Sequence, residues 1–240
     1  MSSPPSNSFL PLPTGEALSI AWPTPNHFLF DAPEKFFART RVNPDYGKPG
    51  WTRDCGKRFH RGCDIAPVHV VDTCQKTKVI FTDCATGADF ESEEPTFVPQ
   101  DEVFCVFEGR VVEVLEDAET SDFGKHLVIE HVWPRSGEKF FTLYAHLAEI
   151  AGPVRKAYRI LGDLRSMNRR GQETFAERPE DAVAKGQRIG KMGRTGRSAD
   201  ARNWMAIAPH LHFEVRDESL NGRAYEPVEF LTKFLSDRRS

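Results

Sequence analysis

Short apolar runs with polar alternation dominate this chain, and they predict β-strands rather than helices. The run HLVIEHVW at His126–Trp133 places Leu127, Ile129 and His131 on one face of a strand and the intervening residues on the other. Four further runs have the same character: Val103–Leu115, Lys139–Leu147, Gln187–Met192 and His210–Arg216. Because glycine-rich turns separate these runs, the sequence predicts an antiparallel sheet core.

Both ends of the chain depart from this pattern. Residues 1–33 hold seven of the 17 prolines and predict an extended arm, in which Trp22, Phe28 and Phe30 are candidates to dock on the remainder. At the other end, Pro227–Arg238 predicts a capping helix. Its inward apolar positions are Phe230, Leu231, Phe234 and Leu235.

Two long polar excursions interrupt the strands. Residues 67–103 hold eight acidic residues and two lysines, whereas residues 151–181 hold seven basic and five acidic residues and are helix-permissive around Ala157–Met167. We therefore predict an N-terminal arm at 1–35 and one domain at 36–240 that carries both insertions. Since their charge excess is opposite, one hypothesis is that the two insertions approach one another over the substrate groove. The alternative is two independent surface loops.

Composition excludes several classes. The 240 residues carry 32 Lys+Arg and 35 Asp+Glu, and a net charge of -3 argues against a nucleic-acid partner. No apolar run approaches the roughly 18 residues of a membrane helix. The first basic residue is Lys35, so no secretory signal is visible. Residence in the cell, another export route, or a mature form given without its leader all stay open.

Cysteine spacing favours free thiols. The five cysteines are an odd number, and none forms a C-x-x-C pair. The alternative is a disulfide between Cys74 and Cys84, which flank the strand-like run TKVIFTD.

The histidine pattern carries the candidate chemistry. His210 and His212 in HLHFEV lie two apart in a strand and so share one face. His60 and Asp64 are four apart across a glycine, and His146 ends a strand-like run. Taken singly, each feature is also compatible with surface or structural residues. Together, two imidazoles, one carboxylate and a water would make an open tetrahedral zinc site, and the remaining two histidines could carry protons.

Four ordered blocks then resemble a known family. FHRGCDIA, LYAHL, GQRIGKMGRTGRS and PHLHFEVR are similar to the signature blocks of lysostaphin-type (LytM-like) zinc metallopeptidases, the endopeptidases of bacterial peptidoglycan. The upstream Arg41–Pro44 and the segment from Asn221 to Leu231 are also similar to family segments. The resemblance covers roughly residues 38–232, apart from the two insertions. It implies a mainly β fold, a twisted antiparallel sheet of the duplicated-hybrid-motif type with peripheral helices.

The resemblance also implies a role for each site residue. His60, Asp64 and His212 match the zinc ligands, and His146 and His210 match the two histidines that assist catalysis without binding the metal. The implied function is zinc-dependent hydrolysis of peptide bonds in peptidoglycan stem peptides or cross-links. Separately from the resemblance, we expect a monomer.

Two alternatives stay open beside this function. One is a non-catalytic LytM-like module that binds the wall or activates an amidase, and the other is a zinc peptidase with a non-wall substrate. The long insertions and the link ADARNWMAIA before Pro209 depart from the family pattern and bear on substrate choice. The four other histidines are interpreted as structural or surface groups: His27, His69, His126 and His131.

Overall fold

The computed structural model describes residues 8–116, 121–154, 182–196, 208–219 and 222–235. Within these ranges the chain is mainly β, as predicted. The strands in chain order are β1 (Gly50–Arg53), β2 (Arg58–His60), β3 (Cys63–Ile65), β4 (Val70–Thr82), β5 (Asp89–Pro99), β6 (Glu102–Phe104), β7 (Gly109–Leu115), β8 (His126–Val132), β9 (Lys139–Ala145), β10 (Glu149–Ile150), β11 (Ala182–Val183), β12 (Arg188–Lys191), β13 (Leu211–Arg216) and β14 (Ala224–Tyr225). The helices are α1 (Pro33–Phe36) and α2 (Pro227–Phe234).

An antiparallel sheet forms the centre of the protein. Its order is β11-β7-β8-β9-β13-β14, and β3 also pairs with β13. A smaller sheet of order β10-β12-β6 lies beside it. The predicted strand at Val103–Leu115 is in fact divided into β6 and β7, which belong to different sheets.

The predicted inner face of β8 is confirmed, whereas its other face is only partly exposed, since Val128 on that face is 1% exposed. Leu127, Ile129 and His131 are almost fully buried in the main core, whereas Val132 on the other face is 48% exposed. This core is rich in aromatic rings, and Trp133 stacks on Phe140 with ring centroids 4.2 Å apart. Burial of such rings stabilises the face of the sheet opposite the polar site.

Helix α2 covers one end of this core. Its buried residues include Phe230, Leu231 and Phe234, as predicted, and Glu226 caps the first turn by accepting from the Val228 and Glu229 amides. The helix ends at Phe234, earlier than expected, and residues 236–240 lie outside the described ranges.

The proline-rich N-terminal segment packs on the sheet from residue 8 onward. The Ile20 amide donates to the Phe234 carbonyl at 3.0 Å, and the side chain of Ile20 is buried. Trp22 and Phe30 pack against the core, whereas Phe28 is 38% exposed. Both backbone hydrogen bonds and aromatic packing therefore hold this segment on the sheet. Its division from the domain at residue 35 stays a prediction.

The acidic insertion is a long β-hairpin made of β4 and β5 rather than an irregular loop. Val79 and Phe81 on one face are buried, and Arg41 donates to Ser92 on β5 at 2.7 Å. The second insertion, 151–181, lies mostly outside the described ranges. Its helical character and its approach to the hairpin stay predictions.

A disulfide joins Cys55, in the turn between β1 and β2, to Cys84 near the hairpin tip. The expectation of free thiols is therefore wrong for Cys55 and Cys84. The alternative Cys74–Cys84 pairing is also wrong, since Cys74 is an exposed free thiol. The sequence offered no signal for the observed pair, because it depends on the hairpin folding back onto the β1–β2 turn. None of the helices in the described ranges has the length and apolar character of a membrane span.

Candidate metal centre

Strand β13 is the centre of the candidate site. Its register places His212 opposite Asp64 of β3 on one side and opposite Ala145 of β9 on the other. His146 directly follows Ala145, and His60 ends β2. Since residues two apart share a face of a strand, His210 lies beside His212. Pairing of β3, β13 and β9 therefore brings together Asp64, His212 and His146, which are far apart in sequence.

Three of the predicted residues converge on one point. The His60 Nε2 and His212 Nδ1 atoms are 3.2 Å apart, and Asp64 Oδ1 lies 2.9 Å from the His212 atom and 3.3 Å from the His60 atom. All three side chains are buried, and Asp64 is fully enclosed. Their donor atoms form a group that could hold a metal ion.

These spacings fit a tetrahedral metal centre. Donors about 2.0–2.2 Å from a zinc ion at tetrahedral angles lie about 3.4 Å from one another. The observed separations of 2.9–3.3 Å differ from this by a few tenths of an ångström. Two imidazoles and a carboxylate suit zinc, and three protein donors leave a fourth position for a water or a substrate.

Hydrogen bonds orient both imidazole ligands. The His60 Nδ1–H donates to the Lys48 carbonyl at 2.8 Å, so the lone pair of the neutral ring is on Nε2, the atom nearest Asp64 and His212. His212 is turned the opposite way, with Nε2 bonded to Glu214 Oε1 at 2.8 Å and Nδ1 in the cluster. Each ring thus presents one nitrogen to the common point and anchors the other in the protein.

The two further predicted histidines lie beside this cluster. His146 Nδ1–H donates to the Thr195 carbonyl and His210 Nδ1–H to the Ala208 carbonyl, both at 2.8 Å. His210 Nε2 lies 3.5 Å from Asp64 Oδ2, and the His146 and His210 ring centroids are 4.9 Å apart. Both neutral rings therefore carry their lone pair on Nε2.

The backbone at His146 is held in an uncommon conformation. Its φ of 63° lies in the left-handed region, which side chains with a Cβ rarely adopt. The His146 amide donates to the Phe123 carbonyl at 2.9 Å, and Gly193 packs so closely that a Cβ there would lie 2.8 Å from the His146 carbonyl oxygen. Such enforced conformations concentrate at functional sites.

Arg53 is a part of the site that sequence reasoning missed. Its Nη2 lies 2.9 Å from His60 Nε2 and also contacts Asp64 Oδ2, and its guanidinium lies 3.5 Å from the Tyr46 ring centroid. The donor cluster therefore already attracts a cationic group. A metal ion bound there would share or replace these Arg53 contacts.

Burial and charge shift the pKa values of the site residues in different directions. Burial alone would raise the pKa of Asp64, but the Arg53 charge and the neighbouring histidines hold it well below its usual range. Burial lowers the pKa of His60 to about 4 and also lowers those of His146 and His210. These three rings are therefore neutral at pH 7, as metal ligands and proton acceptors must be.

His212 is the exception among the four rings. Burial opposes its charged form, but the hydrogen bonds to Asp64 and Glu214 outweigh burial and raise its pKa. Because a metal ion needs a deprotonated nitrogen, binding at Nδ1 would displace a proton.

The remaining histidines lie elsewhere. His27 is exposed and stacks on Trp22, and His69 bonds to Asp101 at 2.7 Å. His126 and His131 are buried on β8. The structure thus brings together all five predicted site residues and leaves out the other four histidines.

Fold and site together define a mainly β protein with a buried His/Asp centre suited to a cation. Residues 171–227 match the family model described as Peptidase family M23, a family of metallopeptidases, in agreement with the LytM-like resemblance. The matched segment includes His210 and His212, and it supports a peptidase role. No curated protein and no solved structure matches the chain.

Proposed function

We propose that this protein is a zinc-dependent endopeptidase that hydrolyses peptide bonds in the stem peptides or cross-links of peptidoglycan. The observation that carries the proposal is the convergence of His60, Asp64 and His212, with His146 and His210 beside them. The M23 match at 171–227 supports the reaction class, and the resemblance of the four sequence blocks supports the substrate class.

His60 Nε2, Asp64 and His212 Nδ1 would hold the metal. When bound, a zinc ion would supply Lewis-acid chemistry, lowering the pKa of a water to about 7 and polarising a carbonyl. Three buried donors fixed by their own hydrogen bonds confine the ion to one position. Asp64 contributes the negative charge that balances it.

His146 and His210 would handle the protons of hydrolysis. Each neutral ring accepts at Nε2, because its Nδ1–H is held by a backbone carbonyl. One ring would take a proton from the attacking water at Nε2 and could return that proton to the leaving amine. The other ring would donate to the amine or to the developing oxyanion only after it had itself taken up a proton at Nε2. Positioned groups of this kind contribute roughly 10²–10⁴-fold to the rate.

The substrate and the assembly are further parts of the proposal. A peptidoglycan peptide is the expected partner, the protein acts as a monomer, and no nucleic acid takes part. The β4–β5 hairpin is tied by the Cys55–Cys84 disulfide to the turn that precedes His60. This tie supports the proposal that the hairpin forms a wall beside the substrate.

Digestion of purified sacculi, followed by mass analysis of the released fragments, tests the proposal. We expect zinc-loaded protein to release fragments cut at a peptide bond, a chelator to stop release, and added zinc to restore it. His146→Ala should retain zinc and lose most activity, whereas the exposed control His27→Ala should match wild type.

Two other outcomes would reject the proposal in different ways. Zinc binding without cleavage of sacculi, but with cleavage of unrelated peptides, would indicate a non-wall peptidase. Binding to sacculi without cleavage of either substrate would indicate a non-catalytic wall module.

A further inference from the structure

A buried ion pair lies directly behind His212, on the side away from the metal donors. Glu214 Oε1 lies 2.8 Å from His212 Nε2, and Glu214 Oε2 accepts from Arg216 Nε at 2.6 Å. Glu214 and Arg216 are only 2% and 1% exposed. Burying two charges is expensive unless geometry and further contacts compensate, so a role for this pair requires explanation.

Both residues are held in place from several sides. Arg216 Nη1 donates to the Ser219 carbonyl at 3.4 Å, and its guanidinium lies 5.5 Å from the Phe123 ring centroid. A Cβ on Gly62 would lie 2.7 Å from His212 Cε1 and 2.8 Å from Glu214 Cγ. Glycine between the two ligands of the H-x-x-x-D segment thus allows the His212–Glu214 pair to pack against it.

We infer that Glu214, held by Arg216, is a positioning residue for the metal centre: it fixes the hydrogen of His212 on Nε2 and so directs the Nδ1 lone pair at the metal position. The position of Asp64 explains why His212 requires such a positioning residue. Asp64 Oδ1 lies 2.9 Å from His212 Nδ1 and would otherwise attract the hydrogen to that nitrogen. A carboxylate on Nε2 opposes this and increases the basicity of Nδ1.

This inference rests on the proposed function for the identity of the metal, but its test does not need catalysis. Zinc dissociation constants, measured by competition with a chelator, should rise roughly 10–100-fold in Glu214→Leu, the usual effect of removing a carboxylate behind a histidine ligand. Glu214→Gln should be intermediate, since its amide oxygen can still accept from Nε2–H. The matched control is Glu130→Leu on β8, because Glu130 also pairs with an arginine, Arg110, and should leave affinity unchanged.

A second variant separates positioning from folding. Glu214→Leu leaves the Arg216 charge buried without its carboxylate, which could destabilise the fold. Glu214→Leu with Arg216→Met removes both charges, and we expect a folded protein that still binds zinc weakly. Arg216→Met alone keeps the acceptor and should weaken binding less.

The position of the His212 hydrogen can also be measured in metal-free protein by NMR spectroscopy. At a pH where the rings are neutral, long-range ¹H–¹⁵N correlation should place the His212 hydrogen on Nε2 in wild type and shift it toward Nδ1 in the double variant. Wild-type affinity in the folded double variant, or a hydrogen on Nδ1 in wild type, would overturn the inference. Failure to cleave sacculi with these zinc and tautomer results intact would instead reject only the proposed function.

Discussion

Two buried histidines on the same sheet show what separates a structural imidazole from a candidate ligand. His131 on β8 and His212 on β13 are 1% and 6% exposed. His131 Nδ1–H donates to the Glu108 carbonyl at 2.9 Å, and its Nε2 accepts from the Thr142 hydroxyl at 2.7 Å. Its ring stacks on Phe140. Both nitrogens of His131 are thus satisfied by the protein, and the ring fills core space.

His212 uses its nitrogens differently. One nitrogen is anchored on Glu214, and the other lies 2.9 Å from Asp64 and 3.2 Å from a nitrogen of His60. A second imidazole and a carboxylate thus converge with His212 on one point. The described neighbours of His131 are a backbone carbonyl, a hydroxyl and aromatic rings instead. Burial is therefore common to both residues, and convergence of donors is what marks the site.

Of the predicted changes, removal of the Asp64 carboxylate should have the largest effect, because it should abolish metal binding. Asp64→Ala deletes the one anion shared by His60, His210 and His212, so zinc should fall from about one per chain to near none, and activity should be lost with it. Metal analysis after dialysis measures the zinc content, and digestion of sacculi measures the activity.

The control for this experiment is a substitution of His131, the structural histidine of the comparison. His131→Gln should retain both zinc and activity, because His131 makes no contact with the donor cluster. Full zinc retention in Asp64→Ala and in His60→Ala would reject the ligand assignment.

The next largest effect should come from the two histidines beside the cluster. His146→Ala and His210→Ala should each lower turnover by roughly 10²–10⁴-fold, since each removes a positioned proton carrier. Zinc content should stay near that of wild type. Steady-state kinetics on a defined peptide, with metal analysis of the same samples, tests this prediction. Full turnover in either variant would contradict the proton-carrying role of that histidine.

Of the two regions compared, the Cys55–Cys84 disulfide belongs to the metal centre, because Cys55 lies in the turn before His60. It closes 29 residues of chain, for which the chain-entropy model gives about 3–4 kcal/mol of stabilisation. Cys55→Ser with Cys84→Ser should lower the free energy of unfolding by about this amount, measured by denaturant titration, and Cys74→Ser should not. Thiol counting on denatured, unreduced protein should give three free thiols, and a count of five would exclude the disulfide.

A smaller, pH-dependent effect is expected from His131. Burial lowers its pKa from 6.5 to about 4. Because the unfolded chain takes up the proton first, the stability present above pH 6.5 is lost as the pH falls toward 4. At about 1.36 kcal/mol per pKa unit, the loss is up to about 3 kcal/mol.

His131→Gln cannot titrate and should lose that much less stability than wild type over the same pH range, measured by denaturant unfolding at each pH. Parallel curves for the two proteins would show that the buried ring does not control this dependence. Both proteins retain the site histidines, so their titration cancels in the comparison.

Strand alternation and the order of the motifs made much of this fold predictable. The buried face of β8 and the shared face of His210 and His212 both follow from the two-residue period of a strand. The β4–β5 hairpin was expected only as a polar excursion, since its pairing depends on contacts between residues far apart. The Cys55–Cys84 disulfide was missed for the same reason.

The site was predicted in its donors but not in their supports. The same two-residue period that relates His210 to His212 also places Glu214 and Arg216 on that face, so the sequence holds a signal for both supports. Arg53 had no such signal. Its contact with Asp64 arises from the path of the β1–β2 turn, where Asp54 and Cys55 have φ values of 50° and 58°.

Zinc content of His210→Ala and His212→Ala, measured side by side after dialysis, tests the central claim most directly. The two residues are two apart in sequence, His210 directly before β13 and His212 within it, but only His212 contributes an atom to the donor cluster. We expect His212→Ala to lose the metal and His210→Ala to keep about one zinc per chain. Loss from His210→Ala with retention in His212→Ala, or retention in both, would contradict the account.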